Sequence, residues 1–211
     1  HSGLFATQFP IKSIPVKNRQ VYYELPEDIV EVSDNFTGTV WNTGVMRHGK
    51  YYSIDTESNY DGSPITLGEI LQDEKDVPEK YFLTDQAKLE KFQYLRSPKK
   101  IERTSADGFT YTYSEGGMSP YDDLNLPGRT MLTSEGTVNR STHFLFVNDK
   151  YRLITPIEAE RLQDFPDDWT SKKKLADGSV VEVSDKMRMF FMGNALVTEI
   201  VKEIGKYIAK L

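Results

Sequence analysis

The sequence predicts an α/β (α+β) protein, built of small twisted antiparallel sheets and short helices and closed by helices at its C-terminal end. Three observations carry that prediction. Short β-branched and aromatic runs recur between turn residues, other segments place apolar side chains at helical spacing behind capping residues, and 38% hydrophobic content over 211 residues is ample for a packed core.

From Val21 to Asp55, "VYYEL", "DIVEV", "TGTVW" and "HGKYYSID" read as strands of a small antiparallel sheet, separated by turn residues. In "SPITLGEILQD", Ser63 and Pro64 precede Leu67, Ile70 and Leu71, the spacing of a short helix. A second helix follows in "TDQAKLEKFQYL", with Thr84 as N-cap and Leu89, Phe92 and Leu95 on one face. Between Arg103 and Leu145 the chain is rich in Thr, Ser, Gly and Tyr. Alternation in "GFTYTYS" and "RTMLTS" predicts strands, with loops at Gly116-Gly117 and Gly136. This composition suits loops that grip a partner through hydroxyls and backbone amides, and equally an ordinary edge hairpin.

The last third begins with a capping box. Thr155, Pro156 and Glu158 start a helix that must stop near Phe165, because Pro166 disfavours α geometry in the residue before it. "ADGSVVEVS" predicts a turn at Asp177-Gly178 leading into a strand. "ALVTEIVKEIGKYI" then places Leu196, Val197, Ile200, Val201, Ile204, Tyr207 and Ile208 on one face of a final helix. So wide an apolar stripe needs a cover.

The absence of cysteine removes disulfides, thiolate metal sites and any thiol nucleophile, and three histidines leave little for a metal cluster. We expect no metal and no catalytic residue in this chain. No apolar run approaches the roughly eighteen residues of a membrane span, and no basic-then-apolar signal opens the chain. The sequence therefore reads as soluble and cytoplasmic, with no membrane partner. The net charge of −6 argues against a free-standing DNA-coating protein, yet it is unevenly spread. Residues 21–80 carry 13 acidic and 4 basic side chains, whereas 86–103 carry six basic (Lys88, Lys91, Arg96, Lys99, Lys100, Arg103) against two acidic. That basic strip is either a DNA-facing surface or a solvated helix face with its loop.

Two segments resemble motifs IX and X of the DNA (cytosine-5) methyltransferases, in that order. For the ninth, approximately R-x-L-T-x-x-E-x-x-R-L-Q-x-F-P, the matches are Arg152, Leu153, Thr155, Glu158, Arg161, Leu162, Gln163, Phe165 and Pro166, with Ile154 intervening. For the tenth they are Gly193, Asn194, Ala195, Leu196 and Val197, a glycine turn opening a helix. "TLGEIL", "VPEKYFLT" and "PGRTMLTSEGTVNRSTH" resemble segments in and around the target recognition domain of bacterial restriction-modification members. The resemblance implies a loosely placed β-rich segment at 1–60, a target recognition domain at 61–150, and at 151–211 motif helices that pack on a Rossmann-like domain. The family's F-x-G-x-G turn, Pro-Cys nucleophile, E-N-V and Q-R-x-R motifs are absent from this sequence. Thiolate addition to a flipped-out cytosine therefore cannot start here.

By the resemblance, Arg152, Thr155, Glu158 and Arg161 tie recognition domain to catalytic core. Asn194, Ala195 and Leu196 close the S-adenosylmethionine pocket of the complete enzyme, and none of that cofactor should bind this chain alone. The expected partners are duplex DNA and the catalytic half of the enzyme, either in the same polypeptide or as a separate subunit. Candidate DNA contacts are Arg103, Thr104 and Ser105 on one loop and Arg129, Thr130, Thr133, Ser134, Asn139, Arg140 and Ser141 on another. Arg129 and Arg140 lead for guanine or phosphate, Lys99 and Lys100 for phosphate only. His143 belongs either to that surface or to a hydrogen-bonded strand position. The competing reading is a non-catalytic interaction subunit that assembles with a methyltransferase without touching DNA.

Overall fold

The computed structural model describes residues 7–12, 19–38 and 40–210. The chain forms two compact units, residues 1–62 with 203–211, and residues 63–202. In the first, β1 (Gln20–Glu24), β2 (Thr43–Arg47) and β3 (Lys50–Ile54) form an antiparallel sheet in the order β1-β3-β2. His48 and Gly49 join β2 to β3 with positive φ values of 50° and 72°, a turn whose twist suits a tight hairpin. "DIVEV" is helical, not extended. The Asp28 carboxylate accepts from the Val30 amide and starts α1 (Ile29–Asn35), a local cap that overrides β-branched composition. "TGTVW" is irregular where described, Thr39 lying outside the described residues; the strand that pairs with β3 starts at Thr43.

The second unit holds the main core. Leu67, Ile70, Met131, Leu145, Ile154, Ala159, Met189 and Met192 pack together, and Phe92, Phe144 and Leu153 form a smaller cluster beside partly buried Tyr151. Phe92 and Phe144 stack with ring centres 4.5 Å apart. "SPITLGEILQD" makes only a 3₁₀ turn, Gly68–Ile70, because the Gln72 amide that would continue it donates to the Glu158 carboxylate instead; the amides of Leu67 and Gly68, which open the turn, bond to the carbonyls of Leu126 and Leu124. α2 (Gln86–Arg96) is capped by Asp85, whose carboxylate accepts from the Ala87 and Lys88 amides, one position after the expected Thr84. A hairpin of β4 (Lys99–Thr104) and β5 (Thr110–Glu115) follows. "RTMLTS" forms no strand: residues 129–132 are irregular, and turns run on to Gly136 at φ 81°.

β6 (Phe144–Val147) and β7 (Lys150–Leu153) pair through left-handed Asn148 and Asp149, and the chain passes directly into α3 (Pro156–Leu162). The expected capping box is present at Thr155 and Glu158. β8 (Lys172–Lys174) and β9 (Val180–Glu182) close around Asp177-Gly178, where the Asp177 carboxylate accepts from the Ser179 amide. α4 (Asp185–Asn194), capped by Ser184, was not expected from the apolar periodicity. It carries the glycine of "MGNAL" at its end, so that motif closes one helix, and α5 (Thr198–Ile208) starts only after Val197.

Candidate nucleic-acid interface

The β4–β5 hairpin pairs with no other strand among the described residues. Six residues a side give a ribbon about 20 Å long at the rise of an antiparallel strand. Its root is fastened. Lys99 Nζ donates to the Leu95 and Ser97 carbonyls and meets Glu115 at 3.1 Å. Arg140 Nη1 donates to Leu95 O at 2.9 Å and lies 3.0 Å from the same carboxylate, while Nη2 reaches Gly116 O. The Lys99 ammonium, followed by the other charges and hydrogen bonds around it, holds the Glu115 carboxyl below the usual range.

Beyond the root the ribbon stands in solvent. From Glu102 to Thr112 the residues are exposed on both faces, with Ser105 half-buried, and Phe109 near the tip is 67% exposed. The tip itself is ordered by the Ser105 amide and hydroxyl, both donating to Phe109 O, and by Gly108 at φ 86°. Arg103 lies 4.0 Å from the Tyr113 ring centre and has no carboxylate partner among the described residues. A guanidinium held over a ring keeps its hydrogen-bond donors free for another acceptor.

The other candidate DNA residues are placed differently. Arg129 donates from Nε and Nη2 to Asp122, at 2.7 and 3.2 Å, and from Nη2 to Thr142 O at 3.0 Å. Arg96, 1% exposed, binds the same carboxylate and the same carbonyl. Burial raises the Asp122 pKa, but the hydrogen bonds from Arg129, Arg96 and the Phe144 amide outweigh it and bring the net shift below the ordinary aspartate value. Asn139 is a turn residue whose side-chain oxygen accepts from the Ser141 and Thr142 amides and whose amide reaches Ser134 Oγ. Thr130, Thr133 and Ser134 are exposed, and Ser141 is half-buried. His143 is interior: its backbone amide donates to Glu135 Oε1 at 2.6 Å, and Nδ1 lies 3.2 Å from Oε2. The structure thus brings Arg103, Thr104 and Ser105 to one exposed end, and turns the guanidiniums of Arg129 and Arg140 toward protein carboxylates and carbonyls.

Arg152 and Glu158 form a two-pronged buried pair at 2.8 and 2.7 Å, and Glu158 also accepts from the amides of Thr155 and Gln72. Arg161 spans Asp167 and the Ile70 and Leu71 carbonyls. The sequence profile of the family described as C-5 cytosine-specific DNA methylase matches residues 13–210. The chain belongs to this family. It is also 49% identical over 211 residues to the Type II methyltransferase M.Sau3AI of Staphylococcus aureus, which covers 100% of this chain and 48% of that protein. The chain therefore spans about half the length of the curated relative it matches.

The "MGNAL" segment is stitched into the chain around it. A Cβ on Gly193 would lie 2.3 Å from the Thr133 amide nitrogen, so only glycine allows the approach. Gln163 donates to Met192 O and accepts from the Thr198 amide. Asn194 caps α4 by donating to Phe190 O, and Leu196 after it is 73% exposed. Of the ribbon residues the sequence singled out Lys99, Lys100 and Arg103–Ser105; the structure holds Lys99 at the root against Glu115 and the Leu95 and Ser97 carbonyls, and the Thr-Tyr alternation of β5 already separates the ribbon's two faces.

Proposed function

We propose that this chain is the target-recognition and C-terminal portion of a DNA (cytosine-5) methyltransferase of the restriction-modification type. In the complete enzyme a methyl group passes from S-adenosylmethionine to C5 of cytosine in a specific duplex site, and the β4–β5 ribbon enters the major groove. The observation that supports this reading is the ribbon's double exposure. An isolated two-stranded ribbon is marginally stable in water, whereas the major groove, about 12 Å wide, accepts one. Arg103, Thr104 and Ser105 touch DNA in this reading, while Lys99 and Arg140 hold the ribbon's angle and Arg129 braces the loop behind it.

Without a cysteine, the chain supplies no thiol nucleophile for addition to cytosine, and we expect it to be inactive alone. Asn194, Ala195 and Leu196 would lie along one edge of S-adenosylmethionine, which supplies the methyl group when bound. The catalytic half would cover the outer face of α4. That helix buries Met189 and Met192 on one side and exposes Met187, Phe190 and Phe191, at 39–47%, on the other. Large apolar side chains exposed together in this way suit a surface that another body covers.

The same face would serve a subunit that only assembles, so the test must address DNA. We expect this chain to bind labelled duplex weakly, with affinity falling as salt rises. Arg103→Ala should weaken binding and reduce the log–log salt slope by about 1 for each phosphate no longer neutralised. Binding and slope unchanged in Arg103→Ala would leave the assembly reading standing.

A further inference from the structure

The ribbon has two chemically different faces. In its register, Lys99↔Glu115, Ile101↔Tyr113 and Arg103↔Tyr111 alternate with Lys100↔Ser114, Glu102↔Thr112 and Thr104↔Thr110. Successive pairs point to opposite sides. The first set is engaged along the root by the Lys99 and Arg140 bonds and by half-buried Ile101 and Tyr113. All six residues of the second set are exposed, from root to tip. That face presents four hydroxyls, one ammonium and one carboxylate. Thr104 and Thr110 share a hydroxyl contact of 3.3 Å, and neither Lys100 nor Glu102 has an ion-pair partner among the described residues.

A free carboxylate in the middle of a DNA-facing surface needs a reason, because phosphate repels it. The major groove offers one favourable partner for such a group, the exocyclic amine of cytosine. Adenine sets an acceptor beside its amine and is matched by the amide of Asn or Gln instead. Hydroxyls on either side suit any base edge, since each both donates and accepts.

We infer that the Lys100–Glu102–Thr104 and Thr110–Thr112–Ser114 face reads the bases, and that Glu102 determines specificity by accepting the N4 hydrogen of a cytosine in the major groove. Thr112, opposite Glu102, contacts the neighbouring base, and Lys100, nearer the root, meets guanine or phosphate. This rests on the recognition role proposed above.

The test is selection from a randomised duplex pool at low salt by the wild-type chain and by Glu102→Gln, Glu102→Ala and Arg103→Ala. Glu102 is exposed and unpaired, so its variants should melt within about 2 °C of the wild type. The wild type should enrich a motif with cytosine at a fixed position. Glu102→Gln should move that position to adenine, and Glu102→Ala should relax it, each change amounting to roughly 5- to 150-fold in discrimination. An enriched motif that keeps its cytosine in both Glu102 variants overturns the assignment and leaves the recognition role intact. No enrichment by the wild type, with Arg103→Ala binding unchanged, overturns both.

Discussion

The ribbon and the region around α3 contain the same residue types and use them in opposite ways. Around α3, Glu158 is fully buried and accepts from Arg152 twice, from Thr155 and from Gln72; Glu160 is fully buried and meets Arg188 at 3.0 Å. On the ribbon, Arg103 and Glu102 stand in water without a carboxylate or cation beside them. A buried charge deprived of its partner would destabilise the fold by several kcal/mol, so interior charges must be satisfied within the chain. A surface charge carries no such requirement and remains available to a partner. Residue type therefore says little about DNA contact until burial and bonding are known. Arg129 and Arg140, the leading candidates by sequence, have carboxylate and carbonyl partners already.

The contrast can be broken most forcefully at Glu158. Glu158→Ala strands Arg152 and the Gln72 amide in the interior and should lower unfolding free energy by about 3–5 kcal/mol in urea titration. A midpoint equal to wild type would show that the pair contributes nothing.

Asp122 sharpens the same point through pH. Its pKa in the folded chain lies below the ordinary value of about 3.9, so its contribution is fully present above that value and is lost as pH falls through the folded-state pKa. Asp122→Asn, which weakens the bonds to Arg96 and Arg129, should destabilise by about 2 kcal/mol at neutral pH. It should also unfold with a shallower acid limb; parallel acid limbs for variant and wild type would contradict the assignment.

The mixed case is Arg140, which belongs to the framework but holds the ribbon. Arg140→Ala should cost about 1 kcal/mol and speed amide exchange along β4 and β5 while leaving the Phe92–Phe144 core protected. Uniform exchange across the unit would separate Arg140 from ribbon orientation.

Much of this was legible in the sequence, and the failures share one cause. The capping box at Thr155, the Asp177-Gly178 turn and the Thr-Tyr alternation of β5 are local signals, and the structure realises each where the residues dictate. What escaped was set by distant partners. "TLGEIL" does not continue as a helix because the next amide, that of Gln72, goes to the Glu158 carboxylate 86 residues away, and Gly193 is required because Leu132 and Thr133 press against it. α4 was missed because its apolar residues face both ways and produce no single stripe. The ribbon end carrying Arg103, Thr104 and Ser105 could be read from turn chemistry, but the separation of a free face from an engaged one required the register and the positions of Lys99 and Arg140.

The claim that the ribbon is the DNA-reading element is tested most directly by removing it. Replacing residues 100–114 with a short Gly-Ser turn leaves the α3 ion pairs and the Phe92–Phe144 core untouched, and duplex selection by this variant can be compared with wild type. We predict a folded chain that no longer enriches any sequence. Enrichment of the wild-type motif by the ribbonless chain would contradict the account.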